Sequence, residues 1–509
     1  VAILVLAVAV RLAIGSALLD DAYITFRYAE HLAEGLGFVY NPGAPVLGTS
    51  TPLFTLWLAG AAWLGLDVPS TAVATGILAM SGLALLLFFL LDRTGRPGAG
   101  LVAASLVSFL PTMVLTSVSG METAPYMLLT LSAVAAIEAQ KFRLGGALCA
   151  AVTLIRPEGI LLVAVLGAML VYRRQSPGAV AFWLFVLPVA AWNLFAIAVF
   201  GSPIPSSVTA KAAAAGGRWI DSLATWWQFL TGSPEHLVLF GSAVVGLFAL
   251  RHRWSWVGPW LAWAGIYSAA FIATDAFHHY PWYFSPLLPP VATLASIGMD
   301  SIVRAAARTV PWLRRLLRPP TWAFGAAACL CTLLAAHLPS LRADVLRQQS
   351  AREALYRQIG QQITIREGRS ALVAATEIGA LGSKYPGPIL DLVGLVSPEM
   401  IGLGHAEAIR RFSPAWIVSY DTHLEIEGAP RSLHGYCLAA ERPVGADRSL
   451  LVFRIGQPTG SRGFCPKRRR IELTNEEADG SVPASVVRTQ RPTPANAAPV
   501  NATDSKESP

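Results

Sequence analysis

Apolar runs long enough to cross a lipid bilayer recur from the first residue to about position 338, and they restrict the fold more than any other feature. They lie at 1–17, 70–91, 99–118, 123–139, 145–155, 159–172, 179–200, 236–250, 254–274, 284–303 and 321–338. A transmembrane helix takes about 20 apolar residues, and lipid accepts only backbones whose polar groups are satisfied internally. The pattern therefore predicts an all-α polytopic membrane domain of about eleven helices. Composition agrees: 54% of the 509 residues are hydrophobic and only 14% charged, against about 25% in soluble domains.

The net charge of +8 does not point to nucleic acid, because it is dispersed in short loop clusters. These are Arg93 with Arg96, Lys141 with Arg143, Arg173 with Arg174, Arg251 with Arg253, and the arginines from Arg304 to Arg318. No basic stripe interleaved with aromatics marks a nucleic-acid surface. Placing every cluster on the cytoplasmic side puts the N-terminus inside and everything after Leu338 outside. The arrangement requires 52–66, which opens Thr51-Pro52, to be an interfacial or re-entrant helix, since a crossing there would turn Arg93 and Arg96 outward. The first run resembles a signal-peptide core but precedes further spans, so it reads as a signal-anchor helix. The runs at 145–155 and 159–172 are short and meet at Arg156-Pro157-Glu158, as a tilted or broken pair would.

Three divisions follow: a membrane domain at 1–340, an α/β domain at 341–456 and a disordered tail at 457–509. The middle one shows a charged helical stretch at 341–365 and short apolar strands at 371–375, 389–393, 416–420 and 449–455, with helical patterns between some of them. The tail has no apolar periodicity with which to bury surface. Cys149, Cys329 and Cys331 fall in apolar runs as packing residues. Cys437 and Cys465 can pair if their region is extracytoplasmic; the nearness of Cys465 to the tail weighs against it.

The long first outer loop opens with Asp20-Asp21, a pair of carboxylates beside a membrane helix. Such charges are costly in lipid unless paired or functional. They can divide acid and base roles, hold a divalent cation, or simply begin a helix; of the two, Asp20 lies nearer the membrane. An amphipathic helix follows at 22–35, with Tyr23, Phe26 and Ala29 on one face and Arg27, Glu30 and Glu34 on the other. Asn41-Pro42-Gly43 makes a turn. Glu122 is a second outer carboxylate. Arg156 and Glu158 suit either a polar cavity or an ion pair with each other. Lys211, in a Pro- and Ser-rich loop, suits a lipid-linked phosphate or a solvated surface. Asp275, His278, His279, Tyr280, Trp282 and Tyr283 form another outer loop, fit for sugar or phosphate recognition or for interfacial anchoring. Singly these signals are weak; the topology puts them all on one face.

In that order the residues resemble the GT-C superfamily of membrane glycosyltransferases. The resemblance rests on Asp20-Asp21-Ala22-Tyr23-Ile24-Thr25-Phe26-Arg27, Asn41-Pro42-Gly43, Ser119-Gly120-Met121-Glu122, Arg156-Pro157-Glu158 and Pro205-Ser206-Ser207-Val208-Thr209-Ala210-Lys211. Within the superfamily the pattern is most similar to the terminal arabinofuranosyltransferases of mycobacterial cell-wall synthesis and their bacterial relatives. The resemblance implies a polyprenyl-phosphate sugar donor, a cell-envelope acceptor and a first-loop Asp as general base. It implies Arg27, Arg156 and Lys211 as cations facing the departing phosphate, with Glu122, Glu158, His278, His279 and Tyr280 completing the substrate site. It names no certain cofactor; a divalent cation at Asp20 and Asp21 stays open. A flippase or transporter that binds polyprenyl phosphate without glycosyl transfer is the competing reading, although no internal repeat of the transporter kind is present.

Overall fold

The computed structural model describes residues 1–214, 219–232, 234–250, 256–309, 319–345, 351–424, 433–444, 448–457, 463–467, 470–471 and 473. All the apolar runs are helical over most of their length. Length then separates them. Among the described residues three helices are long and apolar enough to cross a membrane: Val68–Arg93, Gly178–Phe200 and Trp282–Thr309. The number rises to five if two bent pairs each count as one span: Pro97–Phe109 with Pro111–Val118, at 58°, and Trp219–Thr231 with His236–Ala249, at 92°. Others, such as Phe142–Ile155 with 14 residues, reach only about 21 Å at 1.5 Å per residue, short of the roughly 30 Å hydrocarbon core. Eleven full spans are thus not what helix length supports.

The break at Pro111 has a local cause. Proline lacks an N–H and forces the residue before it out of helical geometry, and Leu110 is extended at ψ 130°. Arg11, buried in the Ala2–Ile14 helix, braces the break by donating from Nε to Ser117 Oγ at 2.7 Å and from Nη1 to the Ser108 carbonyl at 2.9 Å.

The C-terminal domain carries a five-stranded mixed sheet of order β2-β1-β3-β5-β4. Its strands are β1 Val373–Ala375, β2 Ile389–Asp391, β3 Trp416–Tyr420, β4 Tyr436–Pro443 and β5 Ser449–Ile455. β1 runs parallel to β2 and β3, while β5 pairs antiparallel with β3 and β4. Side chains alternate between the two faces. Val373, Ala375, Trp416 and Val418 join the core shared with the helix bundle, whereas Ala374, Ile417, Leu438, Leu451 and Phe453 pack in a second core with Met400, Ala408 and Ile409. Four of the strands coincide with apolar runs. β4 does not, because Ala439-Ala440-Glu441-Arg442 has weak strand preference and is fixed by pairing with β5.

Two boundaries move. Position 341 falls inside the helix Pro319–Val345, and the helix expected at 341–365 is described from Ala351 as Ala351–Glu367, with 346–350 outside the described residues. Part of the segment assigned to the tail belongs to the domain: Phe464 bridges Leu438, Cys465 is disulfide-bonded to Cys437, and the Ile471 amide donates to the Ala439 carbonyl at 3.0 Å. The rest of the tail, from 474, lies outside the described residues.

The first-loop helix, Asp20–Ala33, is not amphipathic in the expected way. Every residue from Ala22 to Ala29 is buried, because the helix lies between Pro52–Trp63 and the Gly379–Gly382 turn of the C-terminal domain. Asn41 confirms its turn and extends it to the same domain: its side-chain amide donates to the Ile389 carbonyl at 2.8 Å and accepts from the Ile389 N–H at 3.0 Å.

Candidate functional site

A polar cavity opens beside the first turn of the Asp20–Ala33 helix. Asp21, Glu122, Arg156 and Lys211 line it together with Thr25, Thr49, Thr51, Ser207, Tyr283 and, from the C-terminal domain, Leu395. Four segments distant in sequence thus supply its acidic and basic groups.

Lys211 lies in the helix Ser206–Ala214. Ser206 anchors the start of that helix: its amide donates to the Leu47 carbonyl at 2.8 Å and its hydroxyl to the Leu395 carbonyl at 2.5 Å. The helix thereby aims Lys211 at Asp21, with Nζ 3.2 Å from Oδ2. The ammonium also sits 4.6 Å from the Tyr280 ring centre and 5.9 Å from that of Trp282, a cation–π arrangement. Burial alone would lower the Lys211 pKa, but the Asp21 carboxylate outweighs it and holds the group above its ordinary value. The site therefore keeps its positive charge.

Arg156 forms the opposite wall. Its Nε lies 2.6 Å from Glu158 Oε1 and 3.6 Å from Glu122 Oε1, and Nη1 donates to Thr123 Oγ1 at 3.2 Å. The guanidinium lies 5.0 Å from the Tyr283 ring centre. Arg156 is ion-paired and also lines the cavity. Glu158 is its partner but is not among the cavity-lining residues.

Two of the expected site residues point elsewhere. The Asp20 carboxylate accepts from the Gly379 amide at 2.9 Å and the Ala380 amide at 2.7 Å, so the residue nearer the membrane is turned away from the cavity and Asp21 faces it. Burial raises the Asp20 pKa, against the opposing effect of those two amides. Since adjacent helical residues point about 100° apart, Asp20 and Asp21 do not converge on a shared cation. Among the described residues no group of three or more His, Cys, Asp or Glu could hold a metal.

Arg27 is also absent from the cavity. It is 3% exposed and donates from Nε to the Tyr40 carbonyl at 2.9 Å, from Nη1 to those of Gly382 and Tyr385 at 2.9 and 2.7 Å, and from Nη2 to that of Gly387 at 2.9 Å. A planar guanidinium suits this bridging of several carbonyls. The sequence reading counted it among the cations facing the phosphate; the C-terminal domain that binds it begins more than three hundred residues later.

His278 and His279 lie on the short helix Ala276–His279, but their side chains are outside the described residues. Tyr280 reaches the site through Lys211. The hydroxyl-bearing Gly48-Thr49-Ser50-Thr51 segment was missed. Its signal was a run of hydroxyls just before the Pro52 helix, which by itself reads as a helix start. The close approach of Gly48 to Leu395 and Val396, where a Cβ would lie 2.8 Å from the Leu395 carbonyl oxygen, was not visible in sequence.

A family model described as a domain of unknown function, DUF8728, matches residues 343–459, which is the α/β domain. Comparison with curated proteins yields no match. Among solved structures, ArnT from Cupriavidus metallidurans bound to undecaprenyl phosphate aligns with a TM-score of 0.54 and 16% identity, covering 88% of this chain and 97% of that one. ArnT from the same organism in the apo state aligns with a TM-score of 0.49 and 15% identity over the same shares. At this identity the first alignment establishes a shared fold.

Proposed function

We propose that this chain transfers a sugar from a polyprenyl-phosphate-linked donor to a cell-envelope acceptor on the outer face of the membrane, with Asp21 as general base. One observation carries the reading: Asp21 and Lys211, paired at 3.2 Å, both line a polar cavity in a fold shared with a protein solved with undecaprenyl phosphate bound. A base must lie within hydrogen-bonding reach of the acceptor hydroxyl, and Asp21 is the carboxylate of the first-loop pair that lines the cavity. A departing lipid phosphate needs fixed positive charge where its own charge develops, and Lys211 and Arg156 supply it. The hydroxyls of Thr25, Thr49, Thr51 and Ser207 provide partners for a sugar.

A second, less polar cavity adjoins the first through Thr49 and Ser50 and runs past Leu47, Leu154, Val189 and Trp192, which suits the isoprenoid end of the donor. The outer location rests on the loop charges and agrees with the Cys437–Cys465 disulfide, since such bonds persist in oxidising compartments. Because the motifs are most similar to the terminal arabinofuranosyltransferases, polyprenyl-phosphate arabinofuranose is the first donor to try.

The test is purified protein in lipid nanodiscs, offered a panel of polyprenyl-phosphate sugars and envelope glycan acceptors, with release of the lipid phosphate monitored. We expect one donor to be turned over by the native chain and Asp21→Asn to lower that rate by about 10²–10⁴-fold. Binding of the lipids without release of phosphate from any donor would overturn the reading in favour of a carrier.

A further inference from the structure

We propose that Asp20 is a positioning residue and that the α/β domain is a working part of the active site: the N–H groups of Gly379 and Ala380 grip the Asp20 carboxylate and so aim Asp21 at Lys211 and the cavity. This rests on the reading of Asp21 as the general base.

The two faces of the Asp20–Ala33 helix make the case. Asp20 and Arg27 are seven residues apart, two helical turns, and so lie on one face. Both are bound to the same short segment of the C-terminal domain: Asp20 to the amides of Gly379 and Ala380, Arg27 to the carbonyls of Gly382, Tyr385 and Gly387. Asp21, Ile24 and Thr25 lie on the neighbouring face and line the cavity. Rotation of the helix about its axis would break the first set of bonds and swing Asp21 away from Lys211. A negative and a positive side chain are each met by backbone groups of opposite polarity, so the helix also cannot slide along its axis without losing both.

The domain comes unusually close at this point. A Cβ on Gly379 would overlap the main-chain oxygen of Asp20, and one on Gly382 would overlap the Tyr40 hydroxyl and lie 2.9 Å from Arg27 Nη1. Glycine at 379 is thus required by close approach, whatever its backbone angles. Asp20 is the first residue of its helix, and both of its carboxylate oxygens accept across the junction. The same domain reaches the cavity directly through Leu395, whose carbonyl accepts from Ser206 at the start of the Lys211 helix. The base and its cationic partner are therefore both located by this one domain.

The experiment uses the full-length chain in nanodiscs and compares Asp20→Asn, Gly379→Ala and Asp21→Asn for kcat, donor KM and thermal unfolding. Misplacing a reacting group by about 1 Å can cost around 10²-fold, so Asp20→Asn and Gly379→Ala should lower kcat by about 10- to 100-fold while donor KM changes little. If Gly379→Ala does not fold, Asp20→Asn, nearly isosteric, carries the comparison alone. A normal kcat in both, or a lowered unfolding temperature with unchanged kcat per folded molecule, refutes positioning while Asp21→Asn remains inactive. A normal rate in Asp21→Asn instead removes the base assignment on which the proposal stands.

Discussion

Lys211 Nζ lies 3.2 Å from Asp21 Oδ2, although 190 positions separate the two in the chain. Asp21 keeps Lys211 charged in a cavity where burial alone would favour the neutral amine. The pair gives one small volume both a proton acceptor and a fixed positive charge. Binding of an anionic headgroup would compete with Asp21 for the ammonium and release the carboxylate for an acceptor hydroxyl.

Lys211 should therefore matter to the donor rather than the acceptor. We predict that Lys211→Ala weakens donor affinity about 30-fold, equivalent to about 2 kcal/mol for a charge-assisted hydrogen bond, with acceptor KM unchanged. Lys211→Arg should restore part of the loss, because the charge remains while the shape of the headgroup contact changes. Equal donor affinity in all three proteins, measured by titration with the lipid phosphate, would leave Lys211 as a structural partner of Asp21.

Arg27→Met should destabilise the junction without changing any cavity-lining group. Four carbonyls lose their donor, and each buried acceptor left unsatisfied costs about 1–3 kcal/mol. We expect a total loss of at least about 3 kcal/mol, seen as a lower unfolding temperature and faster proteolysis between the membrane helices and the α/β domain. Native-like unfolding and proteolysis would mean that the contacts of Asp20 and Asn41 suffice.

Stability should also depend on pH through Glu353 and Glu377. Arg352 pairs with both, at 3.1 and 3.4 Å, yet burial pushes each carboxyl from 4.5 up to about 7. Because the folded chain binds protons that the unfolded chain has released, stability falls as pH rises from about 4.5 to about 7 and then levels. Thermal unfolding at pH 5 and pH 8 should show the drop, and Glu353→Gln with Glu377→Gln should flatten it. An identical pH slope in the double variant would assign the dependence to other groups.

Removing the Cys437–Cys465 bond, which closes a sequence separation of 28 residues, should cost about 3 kcal/mol. Cys437→Ser and Cys465→Ser should each lower the unfolding temperature of the α/β domain, and both together should lower it no further than either alone. Non-reducing mass mapping of the native protein should recover the joined peptides. Free thiols at both positions in protein isolated from the outer face would contradict the bond.

The helices and most of the strands were determined by the sequence itself. Hydrophobic runs are local properties, and 416–420 is apolar enough to be a buried strand; the break at Pro111 inside the 99–118 run was not legible, since Pro188 lies within the continuous helix Gly178–Phe200. Helix length was less well set, because an apolar run and a full membrane crossing are different things, as Phe142–Ile155 shows.

Which of two adjacent aspartates faces the cavity, and whether Arg27 meets the cavity or a buried row of carbonyls, only the tertiary structure decided. Both outcomes depend on a domain more than three hundred residues further along the chain. Asp20 and Asp21 are chemically identical, and position relative to the membrane favoured Asp20, whereas Asp21 lines the cavity. The difference between them is made by two backbone amides, and backbone amides carry no sequence signal. Direction around a helix becomes meaningful only when something fixes the helix against rotation, and here that contact comes from the opposite end of the chain.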